Sequence, residues 1–334
     1  MPPRILLLTL DAFHTLFHPR LPVPIQYAQV AQSLDFPPHL CRNNIPTVDL
    51  AAKISTAFRA AYKHESATRL NFGRNVVGFG GPREWWGNVI RECFKTVARE
   101  DDALASKGKT VGRAEVDVEI EVPEELVQRL LKRFESREGY LLYPDVEAFM
   151  TRMRRWRVGR RLYGSSDGSR GFERVIVGVI SNSDDRNANI LSSLGVRVGP
   201  LGWIATNIAS GVPTSDATGS DGNTPADIDF IVTSYEAGEE KPHRKIFDFA
   251  KERAKKCLER DESLLLKDTD WSCIHIGDHY EKDYEGAINA GWDSFLLPRD
   301  GDGPALSTYR PGSLASVKQI QALTDIFPKL GIDA

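Results

Sequence analysis

The sequence predicts an α/β protein in which a doubly wound, mostly parallel sheet carries an inserted helical domain. Four short apolar runs indicate the sheet: ILLLTL before Asp11, VIVGVI before Ser181, DFIVT before Ser234 and SCIHIG before Asp278. Strands that are buried on both faces of a parallel sheet read as unbroken runs of Val, Ile and Leu. Ligands of such folds bind outside the carboxyl ends of the strands. The polar residues that end the runs therefore predict an active-site rim, and with it an enzyme.

Length and composition favour a two-domain globular protein. The chain has 334 residues, which exceeds the size of most single domains. Its net charge of −3 produces no basic field that would attract nucleic acid or an anionic membrane. The four cysteines lack metal-type spacing and fit buried thiols in a reducing compartment. No apolar stretch approaches the roughly 18 residues of a membrane span. From the charge, the cysteines and the lack of such a stretch, we expect a cytoplasmic or nuclear protein that binds neither nucleic acid nor membranes.

A helical domain follows directly after the first predicted strand, Ile5–Leu10. Between residues 20 and 137 apolar residues recur at helical spacing, and no strand-like run of comparable strength occurs. Three helices are expected, at Val48–Ala67, Arg83–Arg99 and Pro123–Ser136. Pro123 would occupy the first helical turn, where proline is favoured. Residues 103–122 mix Gly, Lys and acidic side chains, which predicts a surface loop.

The α/β pattern resumes after the helical domain. The expected elements are a helix over Tyr143–Trp156, strands at Val175–Ile180, Cys273–Ile276 and Phe295–Leu297, and helices from Pro242 to about Arg260 and over Val317–Leu330. Two polar, Gly-rich inserts, residues 159–171 and 210–227, predict loops. We therefore assign residues 1–18 and 138–334 to the α/β core and residues 19–137 to the helical domain.

The basic run RMRRWRVGRR, Arg152–Arg161, allows two interpretations. The favoured one is a solvated helix face that continues into a loop. The alternative is a nuclear-localisation patch, since short runs rich in Lys and Arg serve as such signals.

Five polar residues form one set across the chain: Asp11, Ser181, Lys241, Asp278 and Asp283. Their types and order resemble the haloacid dehalogenase-like hydrolase superfamily. The segments ISNSDDR, TSYEAGEEKPHRKIF and HIGDHYEKDYEGAINAGWDSFLL are similar to its REG-2-like subgroup. The resemblance implies a Rossmann-like core, a helical cap domain over residues 19–137 and hydrolase activity.

The resemblance also implies roles for these residues. Asp11 would be the nucleophile, whose carboxylate forms a covalent ester and splits one displacement into two easier steps. Ser181 and the main-chain N–H of Asn182 would hold a developing oxyanion. Lys241 would supply a fixed positive charge, and a residue before proline is held extended, which aims its side chain out of the loop. Thr15, Asn182 and His279 are the predicted substrate-binding residues.

A magnesium site is expected at the same rim. Mg²⁺ prefers oxygen ligands and binds through one or two carboxylates, waters and substrate phosphate. The predicted ligands are Asp11, the main-chain carbonyl of Phe13, Asp278 and Asp283. The substrate would be a small phosphorylated molecule.

Phe13 departs from the phosphatase pattern. Phosphatases of the superfamily commonly carry a second Asp two residues after the nucleophile, and a benzyl ring cannot donate the proton that such an acid supplies. The opening DAFHTLF instead looks like that of the 2-haloacid dehalogenases, which need no metal and lack the acidic pair. Three alternatives stay open: a Mg²⁺-dependent phosphatase, a metal-independent dehalogenase-type hydrolase, and a weak or inert homologue that serves as a binding or regulatory module.

Overall fold

Six parallel strands make up the main sheet. The structure, a computed structural model, describes residues 4–106, 120–163, 171–201, 226–259, 269–299 and 317–332. The strands of this sheet are β1 (Arg4–Leu10), β4 (Arg174–Ser181), β5 (Val198–Leu201), β6 (Ile228–Thr233), β7 (Asp270–Gly277) and β8 (Asp293–Leu296). They lie in the order β5-β6-β4-β1-β7-β8. The predicted doubly wound, Rossmann-like α/β fold is confirmed.

The strand order brings the predicted rim together. β1 lies between β4 and β7, with Leu10 opposite Val179 on one side and opposite Ile276 on the other. Because the strands are parallel, the residues that follow β1, β4 and β7 emerge at one edge of the sheet. The interior residues of β1 and β4 are buried, which explains their unbroken apolar composition.

Helices bury the faces of the sheet within this unit, which comprises residues 1–18 and 141–334. The helices are Pro144–Tyr163, Asn187–Ser193, Ser234–Ala237, Arg244–Glu259, Gly286–Asn289 and Ile326–Leu330, with a π-helix at Tyr280–Glu285 and a 3₁₀ turn at Leu323–Asp325. One core cluster contains Ile5 and Ile176 from the strands and Phe247 from the helix Arg244–Glu259.

The second unit, residues 19–140, is helical. Its helices are Val23–Gln32, Pro38–Arg42, Thr47–Thr68, Leu70–Gly73, Gly81–Ser106 and Glu124–Arg133. The long helix Thr47–Thr68 buries Leu50, Ile54, Ala57 and Ala61, which recur at the spacing of one helical face. A two-stranded sheet pairs β2 (Phe17–Pro19) with β3 (Tyr140–Leu142).

The helix predicted over Val317–Leu330 is wrong in its first half. Residues before the 3₁₀ turn instead pair with the edge strand β8, through Leu296 N–H to the Lys318 carbonyl at 2.9 Å and Ile320 N–H to the Leu296 carbonyl at 3.0 Å. The segment pairs with β8 because the unpaired main-chain N–H and C=O groups at a sheet edge favour hydrogen bonds with another extended segment. The edge strand β5 was not expected, since it contains Gly199 and Pro200, but proline is tolerated at a sheet edge.

The predicted loops lie mostly outside the described residues. This holds for most of residues 103–122, 159–171 and 210–227. The basic run lies on the helix Pro144–Tyr163, where Arg154 pairs with Asp227 and Arg157 pairs with Asp229. Within the described ranges, the helices are too short or too polar to cross a bilayer.

Candidate active site

Asp11 lies at the carboxyl end of the central strand β1. Its N–H donates to the Ile276 carbonyl at 2.8 Å, which extends the pairing with β7 by one residue. The residue is 7% exposed, so the carboxylate is held in a largely desolvated position. A buried carboxylate must be paired with a cation or a donor to remain ionised.

Lys241 provides that cation. Its Nζ lies 2.5 Å from Asp11 Oδ1 and 2.6 Å from Asp283 Oδ1, and it donates to the Ile180 carbonyl at 2.7 Å. The three contacts match the three N–H donors of an ammonium group. Lys241 is 2% exposed, which makes this an internal charge cluster.

The side chain of Asn182 holds the main chain of Lys241. Its Nδ2 donates to the Lys241 carbonyl at 2.8 Å, and its Oδ1 accepts from the Lys241 N–H at 2.6 Å. This double hydrogen bond fixes the loop that carries Lys241 against the end of β4. Asn182 was predicted to bind substrate, and its contact with the main chain of Lys241 was not expected.

Asp11, Asp278 and Asp283 form an acidic trio. One carboxylate oxygen of each lies within 4.8 Å of those of the other two. Lys241 offsets one of the three charges, which leaves the cluster with a negative excess when all are ionised. An all-oxygen donor set of this charge suits a hard divalent cation. The trio therefore fits a metal-binding site.

Asp283 is the most fully engaged member of the trio. Besides its pairing with Lys241, its Oδ2 accepts from the His279 N–H at 2.9 Å. Gly277 makes room for it, because a Cβ at that position would lie 2.2 Å from Asp283 Cγ. Because both carboxylate oxygens of Asp283 already accept hydrogen bonds, this residue is suited to holding Lys241 and to contacting a metal ion through a bridging water.

The pKa values of the trio diverge. Burial, opposed by Lys241, raises the pKa of Asp11 to about 6. Burial and the neighbouring carboxylates of Asp11 and Asp283 raise the pKa of Asp278 to about 7. Burial alone would raise the pKa of Asp283 as well, but Lys241 and His275 hold it below its ordinary value. The pKa of Lys241 is raised despite its burial, because two carboxylates face it.

The remaining predicted site residues lie at the same edge of the sheet. Ser181 ends β4 and is 2% exposed. Thr15 is buried, and its Oγ1 donates to Asp278 Oδ1 at 3.4 Å. His279 follows Asp278, and its Nδ1 accepts from the Lys282 N–H at 3.4 Å. The ring of Phe13 is 38% exposed, which is unusual for a large apolar side chain in this part of the unit.

Two contacts behind the site were not anticipated. His275 in β7 is fully buried, with Nε2 3.3 Å from Asp283 Oδ1 and Nδ1 2.8 Å from Thr9 Oγ1. Arg299 donates to the Thr15 carbonyl at 2.7 Å and pairs with Asp145 at 2.9 Å. Burial lowers the pKa of His275, so it is neutral at pH 7. For the contact between His275 and Asp283, the sequence offered one signal, which is a histidine inside an otherwise apolar strand.

Comparison with known proteins extends over most of the chain. An uncharacterised hydrolase of Schizosaccharomyces pombe is 28% identical over 291 residues, which are 87% of this chain and 90% of that protein. Haloacid dehalogenase-like hydrolase domain-containing protein 3 of Bos taurus is 25% identical over 294 residues, or 87% of this chain and 81% of that protein. No family model matches the chain.

Among solved structures, a HAD-hydrolase of Bacillus subtilis bound to magnesium is 15% identical, with a TM-score of 0.46. The alignment covers 99% of this chain and 100% of that one. The motif order, the parallel sheet and the curated relatives confirm the resemblance to the haloacid dehalogenase-like hydrolase superfamily that was drawn from the residues.

Proposed function

We propose that this protein is a Mg²⁺-dependent phosphatase that acts on a small phosphorylated metabolite through an aspartyl phosphate on Asp11. One observation carries the proposal: the Lys241 ammonium joins Asp11 to Asp283 beside Asp278. This arrangement places a single attacking carboxylate next to a fixed cation and a set of oxygen ligands. A phosphate dianion repels a bare carboxylate, so both features favour its approach.

Each residue then has a role in the reaction. Asp11 attacks the phosphorus, and Lys241 reduces the repulsion between the nucleophile and the phosphoryl oxygens. The Ser181 hydroxyl and the Asn182 N–H donate to those oxygens. Asp11, Asp278 and the Phe13 carbonyl would hold Mg²⁺, with Asp283 in support. When bound, the metal would neutralise phosphoryl charge as a Lewis acid.

The helical unit would act as a cap domain that selects the substrate. Active-site lids exclude water and complete the binding site in many enzymes. In this proposal the cap comprises residues 19–137, and the substrate is a small molecule.

A second candidate is displacement of halide from a 2-halo acid. Phe13 favours it, because halide leaves without a proton. The acidic trio opposes it, since a metal-free displacement needs no such cluster. Release of chloride from 2-chloro acids in the presence of chelator would replace the first proposal with this one.

Turnover of 4-nitrophenyl phosphate tests the proposal. We expect release of nitrophenol that requires Mg²⁺ and falls by on the order of 10⁴-fold in Asp11→Asn, which removes the nucleophile. Asp35→Asn is the matched control, because it makes the same chemical change at an exposed turn. Turnover that persists in chelator, or in Asp11→Asn, would contradict the proposal.

Metal affinity is expected to fall in acid. A metal ligand must be deprotonated, so protons compete with Mg²⁺ at Asp278 (pKa about 7) and Asp11 (pKa about 6). Below both values the affinity should drop by about a hundredfold per pH unit, and between them by about tenfold. Calorimetric titration in buffers of different ionisation enthalpy measures both the affinity and the protons released. Affinity that stays constant from about pH 5 to about pH 8 would contradict ligation by these carboxylates.

A further inference from the structure

Once the site holds a metal and is ready to react, the three described carboxylates of the site have no proton to give. Asp283 is held ionised by Lys241, and Asp278 must be ionised to bind a metal. Asp11 is the nucleophile and must also be ionised to attack. A leaving alkoxide needs a proton as its bond to phosphorus breaks, because it is otherwise a very strong base. The carboxylates do not provide for such a leaving group.

The basic side chains of the site are also engaged in hydrogen bonds or ion pairs. The three N–H bonds of Lys241 point to Asp11, Asp283 and the Ile180 carbonyl. His275 is fully buried behind Asp283. The Nδ1 of His279 accepts a main-chain hydrogen bond from Lys282. Lys241, His275 and His279, the described basic side chains of the site, are thus engaged in other contacts and do not replace the carboxylic acid.

At the position where phosphatases of the superfamily commonly carry a second Asp, Phe13 presents an aromatic ring. Phe13, two residues beyond the nucleophile, is 38% exposed, and its ring packs edge-on against the rings of His14, at 4.2 Å, and Phe17, at 5.9 Å. These contacts hold the ring in place while one part stays accessible. An accessible aromatic face favours contact with a planar group by stacking or edge-to-face packing.

We infer, building on the proposed function, that the site acts on phosphates whose leaving oxygen is bonded to an sp² carbon and departs as a stable anion. Aryl and acyl phosphates have this chemistry, with leaving groups whose conjugate acids have pKa values near those of phenols and carboxylic acids, about 10 and about 4. Alkyl phosphates lack it. The planar leaving group would lie against the ring of Phe13.

The chemistry balances without a proton donor. In the first step an Asp11 oxygen forms a bond to phosphorus, the bond from phosphorus to the leaving oxygen breaks, and its electron pair leaves on a phenolate or carboxylate. In the second step water adds to phosphorus and the bond to Asp11 breaks. The Asp11 carboxylate is regenerated, and both protons of the water end on the phosphate as H₂PO₄⁻. The second step is itself departure of a carboxylate from an acyl phosphate.

The dependence of rate on the leaving group tests this inference. With wild-type protein and Mg²⁺, kcat/KM should fall by at least about 10²-fold from nitrophenyl to phenyl phosphate, and benzoyl phosphate should be among the best substrates. Glycerol phosphate should be turned over poorly. Phe13→Asp restores an acid, so it should flatten this dependence and raise kcat/KM for glycerol phosphate by about 10²–10⁴-fold.

Phe13→Leu is the matched control. Leu removes the aromatic face without adding an acid, so the steep dependence on the leaving group should persist while KM for aryl phosphates rises. Circular dichroism verifies that each variant is folded. A shallow dependence in the wild type would overturn the inference while leaving the proposed phosphatase in place. Absence of turnover of every phosphate by the wild type and by Phe13→Asp would overturn both.

Discussion

Lys241→Met is expected to lower the free energy of unfolding by about 3–5 kcal/mol, because it leaves buried carboxylates without their shared cation. Lys241 is 2% exposed and contacts Asp11 at 2.5 Å and Asp283 at 2.6 Å. Met has a similar length, so the substitution removes charge while filling most of the space. Phosphatase activity should be lost as well, since the nucleophile would face the substrate without a neutralising charge. Denaturant titration and turnover of nitrophenyl phosphate measure the two effects.

The stability loss in Lys241→Met should shrink in acid. Burial and repulsion from Asp283 raise the pKa of Asp11, and Lys241 is the main group that opposes them. Without Lys241, the Asp11 carboxyl group of the folded state stays protonated at pH values above about 4, where the same group in the unfolded chain has released its proton. The folded state then binds more protons, so the stability of the variant should fall as the pH rises from about 4 to neutrality.

Lys245→Met is the matched control for the charge cluster. Lys245 is exposed, and its pairing with the partly exposed Glu239 spans 3.9 Å, so its loss should change stability by about 1 kcal/mol or less. Adding Asp283→Asn to Lys241→Met removes one uncompensated charge and should recover part of the loss. Equal losses in the Lys245 and Lys241 variants would contradict the proposed energetic role of the cluster.

Gly277→Ala is expected to destabilise the protein by about 1–3 kcal/mol through overpacking. The added methyl group would lie 2.2 Å from Asp283 Cγ and 2.6 Å from Asp283 Cβ. These atoms lie close to the main chain and cannot move aside without shifting the π-helix Tyr280–Glu285. Displacement of Asp283 would also lengthen its contact with Lys241, so Mg²⁺ affinity should fall together with stability. Denaturant titration and calorimetry measure the two quantities.

Gly159→Ala provides the comparison for Gly277→Ala. Gly159 lies in the helix Pro144–Tyr163, and a Cβ there would meet no described atom within 4 Å beyond its chain neighbours and the helix backbone. Ala should therefore stabilise this helix by up to about 1 kcal/mol and leave metal binding unchanged. If both glycine variants behaved alike, the close approach of Gly277 to Asp283 would have no energetic consequence.

The sequence by itself determined the central strands of the sheet and the position of the residues that follow them. β1, β4 and the second half of β7 are buried, so their apolar runs identify them without any knowledge of their neighbours. A carboxylate or hydroxyl at the end of such a run is forced to the ligand-binding edge, because parallel strands share one direction. Asp11, Ser181 and Asp278 were placed by this local rule.

Only the tertiary structure decided how those residues are held. The Asn182 amide that fixes Lys241, the His275 ring behind Asp283 and the Arg299 contact with Thr15 each join residues from different elements. The segment before Leu323 adopts an extended conformation because β8 has an open edge beside it. Hydrophobic pattern and propensity describe a residue within its own element, whereas these contacts join different elements, over 8 to 284 residues of the chain. They form only when the sheet brings those segments together. Once the groups are buried, a polar group without a hydrogen-bond partner would destabilise the fold.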